Sequence, residues 1–436
     1  MLEKIGIPKR LAWGFLGVVL FMMGDGLEQG WLSPFLIENG LTVQQSASIF
    51  SIYGIALAIA SWFSGVCLEA FGAKRTMFMG LLFYVIGTAA FIVFGFEQLN
   101  LPVMYVTYFV KGLGYPLFAY SFLTWVIYRT PQNKLSTAVG WFWIAYCLGM
   151  FVFGAWYSSY AIKAFGYLNT LWSSIFWVCL GALFALFINK DRFEKKKRKR
   201  SETAEELLKG VTILFTNPRV LTGGIIRIIN SIGTYGFPVF LPIHMAQHGI
   251  STNVWLQIWG TIFLGNIVFN LIFGIVGDKF GWKNTVIWFG GVGCGIFTVL
   301  LYYAPVFSGG SVAVVSVIGF IWGGLLAGYV PIGAIVPTVA GKDKGAAMSV
   351  LNLAAGLSAF VGPALAWLFI GLVGAQGVVW IFAVLYLASA VMTKCIHIPE
   401  EKAVKEETSP QYASSFYHFF IFRLLFWDNV LLFVQK

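Results

Sequence analysis

"GVCLEAFGAKRT" (residues 65–76) returns as "GIVGDKFGWKNT" (residues 274–285), and this echo decides how the chain folds. Gly65, Glu69, Gly72, Lys74 and Thr76 match Gly274, Asp278, Gly281, Lys283 and Thr285, each pair 209 positions apart. The same offset pairs "NGLT" (39–42) with "HGIS" (248–251), and an offset of 210 pairs Asn133-Lys134 with Asp343-Lys344. A spacing held over such distances marks two tandem copies of one structural unit. Locally the motif reads as a tight turn between two apolar runs. Its glycines permit the sharp reversal, its acid caps or pairs at a helix end, and its lysine stays in water.

The runs on either side set the solvent. Of 436 residues, 58% are hydrophobic and 11% charged, with a mean hydropathy of +0.80. A soluble domain carries about 25% charged residues, so most of this chain is dissolved in lipid. Runs of about 20 apolar residues span a bilayer. Twelve are expected here: 11–36, 46–68, 77–96, 102–128, 138–160, 168–188, 219–246, 255–277, 285–305, 311–338, 346–372 and 375–396. They must be helices, because backbone in hydrocarbon has to satisfy its own hydrogen bonds and no alternating barrel pattern is visible. The first run is too long for a signal peptide, carries acids in its core and is followed by no A-x-A site. It is read as a retained helix.

The one long hydrophilic stretch, "NKDRFEKKKRKRSETAEELLKG" (189–210), divides these spans six and six. The expected organisation is therefore an N-terminal bundle (1–188), a basic loop (189–218), a C-terminal bundle (219–396) and a partly apolar tail (397–436). Connections rich in Lys and Arg alternate with nearly bare ones. Lys4, Lys9, Arg10, Lys74, Arg75, Arg129, Lys134, the 190–209 cluster, Lys279, Lys283, Lys342, Lys344 and Lys402 fall on one side, against Lys163 on the other. The positive-inside rule then puts both termini in the cytoplasm. It also explains the net charge of +11 and the run "KKKRKR" (195–200) as a loop facing anionic lipid rather than nucleic acid. The tail segment 416–433 holds Arg423 and Asp428 and reads as interfacial, with a thirteenth span as the alternative.

These residues carry a family resemblance. G-x-x-x-[DE]-x-x-G-x-K at such a turn resembles the signature of the major facilitator superfamily, whose halves are parallel repeats. The fold this implies is an all-α membrane protein, twelve transmembrane helices in two pseudo-symmetric six-helix bundles. In that family the motif latches the halves during the transport cycle; Glu69 for the commoner Asp, and Ala73 for a basic residue, depart from its usual form. "GDGLEQGWLSPFL" (24–36), "KGLGYPLFAYSF" (111–122), "VGWFW" (139–143), "IIRIINSIG" (225–233), "WLQIWG" (255–260) and "KGAAMSVLNLAAGLSAF" (344–360) narrow the likeness. Together they look like the bacterial polyol permeases for ribitol and arabinitol, and are even more similar to a bacterial α-ketoglutarate permease.

Candidate site residues follow from the cost of charge in lipid. An ionised side chain at a helix centre costs roughly 2.5–3.5 kcal/mol on insertion scales, so Asp25 and Glu28 need a wet crevice or a partner. Their i,i+3 spacing puts them on one helical face beside Gln29, and paired carboxylates raise each other's proton affinity. They are the candidates for proton coupling; the competing role is a fixed acid that holds helices together. Lys111 and Arg227 are the cations available to answer them. Arg227 heads a stripe with Asn230, Ser231 and Thr234, and Lys111 shares a face with Tyr115, Phe118 and Phe122. In the superfamily, spans one, four and seven line the cavity, which favours these positions.

Aromatic faces stack on the C–H faces of polyols while amides bond their hydroxyls. Trp141, Trp143, Trp255, Gln257, Trp259 and Asn352 are candidates on that ground, with simple packing as the alternative for each tryptophan. His244 and His248 stand four apart without an acid between them or an evident third ligand, so no metal is expected. The five cysteines, Cys67, Cys147, Cys179, Cys294 and Cys395, show no paired spacing. No phosphate-binding loop, nucleophile–base pair or soluble nucleotide domain is visible, so no cofactor is expected and no enzyme. The expectation is a monomeric secondary transporter of a bacterial cytoplasmic membrane, working by alternating access as a proton symporter of a polyol, with a dicarboxylate as the alternative. Absence of the glycine–proline antiporter motif from "YCLGMFVFGAWY" (146–157) agrees with symport. A solute sensor that moves nothing would be the reading from another class, but no signalling domain accompanies the spans.

Overall fold

The computed structural model describes residues 7–131, 135–189 and 212–398. Lys4, Asn133, Lys134, the 190–209 cluster with "KKKRKR", Lys402 and the 416–433 segment lie outside the described residues, as does the side chain of Glu69. Residues up to Ile396 form one compact unit, and no strand occurs among those described.

The first half runs α1 (Ala12–Gly26), α2 (Leu32–Glu38), α3 (Val43–Phe71), α4 (Ala73–Ala90), α5 (Leu101–Gly112), α6 (Gly114–Arg129), α7 (Leu135–Cys147) and α8 (Gly154–Ala182). The second half runs α9 (Pro218–Gln247), α10 (Thr252–Phe280), α11 (Trp282–Thr285), α12 (Cys294–Phe307), α13 (Val312–Leu326), α14 (Ile332–Val339) and α15 (Lys344–Cys395). Among the described residues, seven helical segments are long and apolar enough to cross a bilayer unbroken, or eight when Thr252–Asn270 and Ile272–Phe280 are joined. Two of the seven, Thr137–Ile188 and Lys344–Cys395, are 52 residues long. A straight helix of that length would reach about 78 Å against about 30 Å of hydrocarbon. Each instead turns at a central glycine with positive φ, Gly166 (80°) and Gly374 (68°), and so supplies two spans. Spans one and four are broken at residues 27–31 and at Leu113, which removes them from a count of unbroken helices. Grouped at these breaks, the described helices make twelve rods.

The duplicated motif appears twice in the backbone. Gly72 ends α3 with φ 85° and Gly281 ends α10 with φ 95°, a region where a Cβ is strained. Thr76 Oγ1 donates to the Gly72 carbonyl at 3.1 Å and Thr285 Oγ1 to that of Gly281 at 3.0 Å. Gly40 (106°) and Gly249 (83°) repeat the match at the opposite end of the helices.

The halves touch mainly between the middle of the helices and the Gly40 end. Ser46 Oγ donates to Ser33 Oγ (2.8 Å), which donates to the Val239 carbonyl (2.6 Å). Ser159 Oγ donates to the Asn253 carbonyl at 2.9 Å and accepts from Gln257 Nε2 at 3.1 Å. Trp156 Nε1 donates to the Gln257 carbonyl at 3.3 Å, and Phe151 stacks on Phe263 with centroids 4.1 Å apart. Gly54 lies against the backbone of Ala359, and Gly356 against Ala58 and Ser61. Toward the Gly72 end, Tyr120, Trp143, Arg227, Ser231 and Tyr235 keep part of their surface open.

Candidate functional site

Helix α1 stops at Gly26, and residues 27–31 form turns before α2 begins, with Gly30 at φ 91°. Asp25 therefore sits in the last helical turn while Glu28 lies in the break. The sequence expects both on one continuous helical face; the structure brings them inward across an unwound segment instead. Irregular backbone at membrane depth is tolerated where protein or a cavity surrounds it.

Both acids are buried, and so is Lys111. Lys111 Nζ forms an ion pair with Glu28 Oε2, so the lysine points into the protein rather than out to the interface. Tyr108 Oη donates to Glu28 Oε1 at 2.5 Å, and the ammonium stands 5.0 Å and 5.1 Å from the ring centroids of Tyr84 and Tyr108. Such packing of charge, hydroxyl and ring faces compensates the loss of water around the ion pair. Gly87 makes room for it: a Cβ there would press on the Lys111 backbone.

Asp25 is treated differently. Tyr53 Oη donates to Oδ1 at 2.8 Å, while Oδ2 has no hydrogen-bond partner among the described residues. The same holds for Gln29 Oε1. Both residues line a cavity of about 20 Å³ with Glu28, Phe50, Tyr53 and Tyr108 from the first half and Tyr235, Pro238, Ala359 and Pro363 from the second. That space holds about one water. The acids thus face a polar void where the two halves meet.

A second neighbourhood lies beside it. Tyr115, Tyr120, Trp143 and Tyr146 form an aromatic cluster, with centroids 6.2 Å apart for Tyr115–Tyr120, 5.9 Å for Tyr115–Tyr146, 6.2 Å for Tyr120–Trp143 and 5.4 Å for Trp143–Tyr146. Arg227 of the second half reaches this cluster, beside Tyr120, Tyr146, Cys147 and Tyr235. With the Asn230 amide oriented to satisfy its neighbours, its oxygen accepts from Arg227 Nη1 at 2.5 Å and its nitrogen donates to the Leu326 carbonyl at 3.2 Å. Arg227, unlike Lys111, has no carboxylate partner among the described residues. A guanidinium surrounded by phenol hydroxyls offers both donors and acceptors to a small solute.

Of the other expected site residues, Trp141 is partly exposed on α7. Trp255 and Trp259 are wholly buried and pack on each other, Trp259 continuing onto Phe263, with Gln257 in the contact to Ser159 between the halves. Asn352 is exposed on α15. His244 Nε2 lies 2.8 Å from the Tyr302 carbonyl and His248 Nδ1 2.9 Å from that of His244, so both rings are engaged by backbone. At the duplicated turns, Lys74 Nζ donates to the Asn189 carbonyl at 3.1 Å and Trp282 Nε1 donates to Asp278 Oδ1 at 3.1 Å. Cβ positions at Gly65 and Gly274 would meet open space.

Sequence reasoning missed the tyrosines. Tyr53, Tyr84, Tyr108, Tyr120, Tyr146 and Tyr235 surround the charged groups from six helices, α3 to α7 and α9, and nothing in their local spacing ties them together. Tyr108 alone gave a signal, three residues before Lys111 on the same face.

Paired helical halves with buried charges at their meeting place are the architecture of a secondary transporter. The chain belongs to the Major Facilitator Superfamily, whose profile matches residues 14–329 and 224–434. It is 98% identical over 414 residues to "Putative transporter YoaB" of Bacillus subtilis (strain 168), covering 95% of this chain and 100% of that protein. It is 54% identical to the alpha-ketoglutarate permease of the same organism, over 92% of each chain. It is 34% identical to the ribitol transporter of Klebsiella pneumoniae, over 94% of this chain and 96% of that one. Among solved structures, a D-xylose-proton symporter shares the fold with a TM-score of 0.67 at 18% identity, covering 89% of this chain and 97% of that chain.

Proposed function

We propose that the chain is a proton-coupled symporter of a polyol in a bacterial cytoplasmic membrane, acting as a monomer with its N-terminus inside. The observation that carries the coupling is the unpartnered oxygen of buried Asp25 beside a water-sized cavity at the junction of the halves. A carboxyl group there has a path for a proton and a reason to take one, since an ionised oxygen without a partner in low dielectric is costly. Glu28 does not share that role, because Lys111 and Tyr108 already hold both of its oxygens. It is the structural member of the pair. Of the two acids expected to couple, Asp25 is the one this reading keeps.

The Arg227 cleft is the solute site. Lys111 is committed to Glu28, which leaves Arg227 as the cation in reach of the tyrosine cluster among the described residues. One cation among hydroxyls and a tryptophan suits a polyol, whose hydroxyls both donate and accept, better than a dicarboxylate with two negative ends. The second reading, a dicarboxylate, draws on the 54% identity to the alpha-ketoglutarate permease. With the basic ends of the helices in the cytoplasm, the contacts at the Gly40 end close the outer face and the cleft opens inward. Gly65, Glu69, Gly72, Lys74 and their counterparts Gly274, Asp278, Gly281 and Lys283 are the inner turns that act as a latch, engaging when that face closes.

The test is uptake of labelled ribitol, D-arabinitol and α-ketoglutarate into proteoliposomes, with and without a protonophore. Ribitol or D-arabinitol accumulation that collapses with the protonophore is expected. Accumulation of α-ketoglutarate alone would favour the second reading, and accumulation indifferent to the protonophore would refute proton coupling.

A further inference from the structure

We infer that Gln29 Oε1 is the acceptor that holds the coupling proton on Asp25, directly or through one bridging water. The inference rests on the proton-symport reading above and names the residue that sets how readily its acid is protonated.

The hydroxyls on the cavity wall are all engaged. Tyr53 donates to Asp25 Oδ1, Tyr108 donates to Glu28 Oε1, and Tyr235 is held by Tyr115 and Tyr146. Lys111 Nζ is taken by Glu28 Oε2. Two acceptors are left without a donor among the described residues, Asp25 Oδ2 and Gln29 Oε1. Both side chains are more than nine-tenths buried, and both line the same cavity of about 20 Å³. That space holds about one water.

The backbone sets this arrangement. Gln29 N donates to the Gly26 carbonyl at 3.1 Å in the turn that follows α1, and Gly30 comes next with φ 91°. Trp255 of the second half packs on that glycine, where a Cβ would stand 3.2 Å from its Nε1. The turn gives Glu28 to Lys111 and Gln29 to the cavity, four positions beyond Asp25.

Two acceptors that share a dry, water-sized space need a hydrogen between them. An ionised Asp25 would leave both oxygens unpaired in low dielectric, which is costly. A protonated Asp25 has an O–H to give, and an amide oxygen takes it. A single water serves equally, accepting from Asp25 and donating to Gln29. An acceptor for the hydrogen of the neutral acid favours that neutral form, so Gln29 is a positioning residue for the proton.

The titratable groups around Asp25 are Glu28 on its own rod, Tyr53 from α3, Tyr84 from α4, Tyr108 and Lys111 from α5, Tyr115 from α6 and Tyr235 from α9. Ala359 and Pro363 of α15 line the cavity, and Ser174 and Val178 of α8 pack on Gly24; none of these titrates near neutral pH. Tyr84 donates to the Gly24 carbonyl at 2.9 Å, so it too is engaged away from Oδ2.

The experiment uses the full chain in proteoliposomes, with whichever of ribitol, D-arabinitol or α-ketoglutarate the wild type accumulates. Gln29→Met removes the acceptor and keeps the bulk. The pH of half-maximal uptake should move about one unit toward acid, a tenfold rise in the proton concentration required. Uptake should return to the wild-type rate at sufficiently low pH, whereas a merely structural lesion would lower it at every pH. Infrared difference spectra of the same proteoliposomes across the titration should show a protonated-carboxyl stretch that Asp25→Asn abolishes and Gln29→Met shifts in frequency. An unmoved band with an unmoved pH profile overturns the inference. A profile displaced toward alkali also overturns it, because the amide would then be donating to the ionised acid. If Gln29→Met does not fold, Gln29→Asn withdraws the amide by one methylene and should move both readouts in the same way; wild-type values there overturn the inference equally. A band lost in Asp25→Asn but unmoved in Gln29→Met sinks this inference and leaves proton symport standing. Wild-type uptake indifferent to an imposed pH gradient, with no band lost in Asp25→Asn, sinks the proton-symport reading and this inference with it.

Discussion

Replacing Lys111 with methionine would leave the Glu28 carboxylate buried without its counter-ion. The side chains are 1% and 3% exposed, so little water can reach the abandoned charge. Removing one member of a buried pair costs about 3–5 kcal/mol. The two lost ring contacts add roughly 0.5–2 kcal/mol each when desolvated. Tyr108 still donates to Oε1, which keeps part of the compensation, so the single variant should lose about 4 kcal/mol. Glu28→Gln should cost a similar amount by stranding the ammonium. The double variant Glu28→Gln/Lys111→Met strands neither charge, and replacing a buried pair by neutral groups is often neutral or stabilising. Urea unfolding of the purified protein in detergent micelles, read by tryptophan fluorescence, measures all four members of the cycle. A coupling energy of about 3 kcal/mol or more is expected. Additive losses, or single variants as stable as the wild type, would refute the view that the two residues compensate one another in a dry core.

Asp25→Asn removes the titrating group while keeping the shape. Uptake by the wild type should rise as pH falls, because the loaded carrier needs the acid protonated, whereas the variant should show counterflow with no pH dependence and no accumulation. Ser33→Ala deletes a buried hydrogen bond to the Val239 carbonyl between the halves. A loss of about 1–3 kcal/mol shifts the balance toward the state opened at the Gly40 end by about 5–150-fold, measurable as faster labelling of a Val239→Cys reporter by an impermeant thiol reagent. Gly54→Val should act in the same direction and more strongly, since its side chain meets the Ala359 backbone, which cannot yield like a flexible side chain. Arg227→Lys should raise the solute KM at least tenfold while leaving urea stability within about 1 kcal/mol, because Arg227 is partly open to solvent and fills no core position.

Much of this molecule is legible in one dimension because the bilayer imposes a one-dimensional rule. Lipid demands about 20 apolar residues per crossing, so span positions, their grouping into repeats and the cost of Asp25, Glu28, Lys111 and Arg227 can all be read along the chain. The duplicated turn is local too: Gly72 and Gly281 adopt the positive φ that their spacing in the motif implies. Pairing is another matter. Lys111 and Glu28 are 83 positions apart, and Arg227 was equally available to the acids until the packing of α5 against the unwound segment chose between them. The break after Gly26 was likewise hidden, because an apolar run with glycines is compatible with a straight helix or an interrupted one.

What the sequence by itself determined is which groups cannot be left in lipid, and how many crossings must shelter them; both follow from composition and periodicity. Which acid is neutralised, which keeps an open oxygen, and which tyrosines gather around each was decided by the tertiary structure alone. Those outcomes depend on distances between rods that no spacing along the chain encodes.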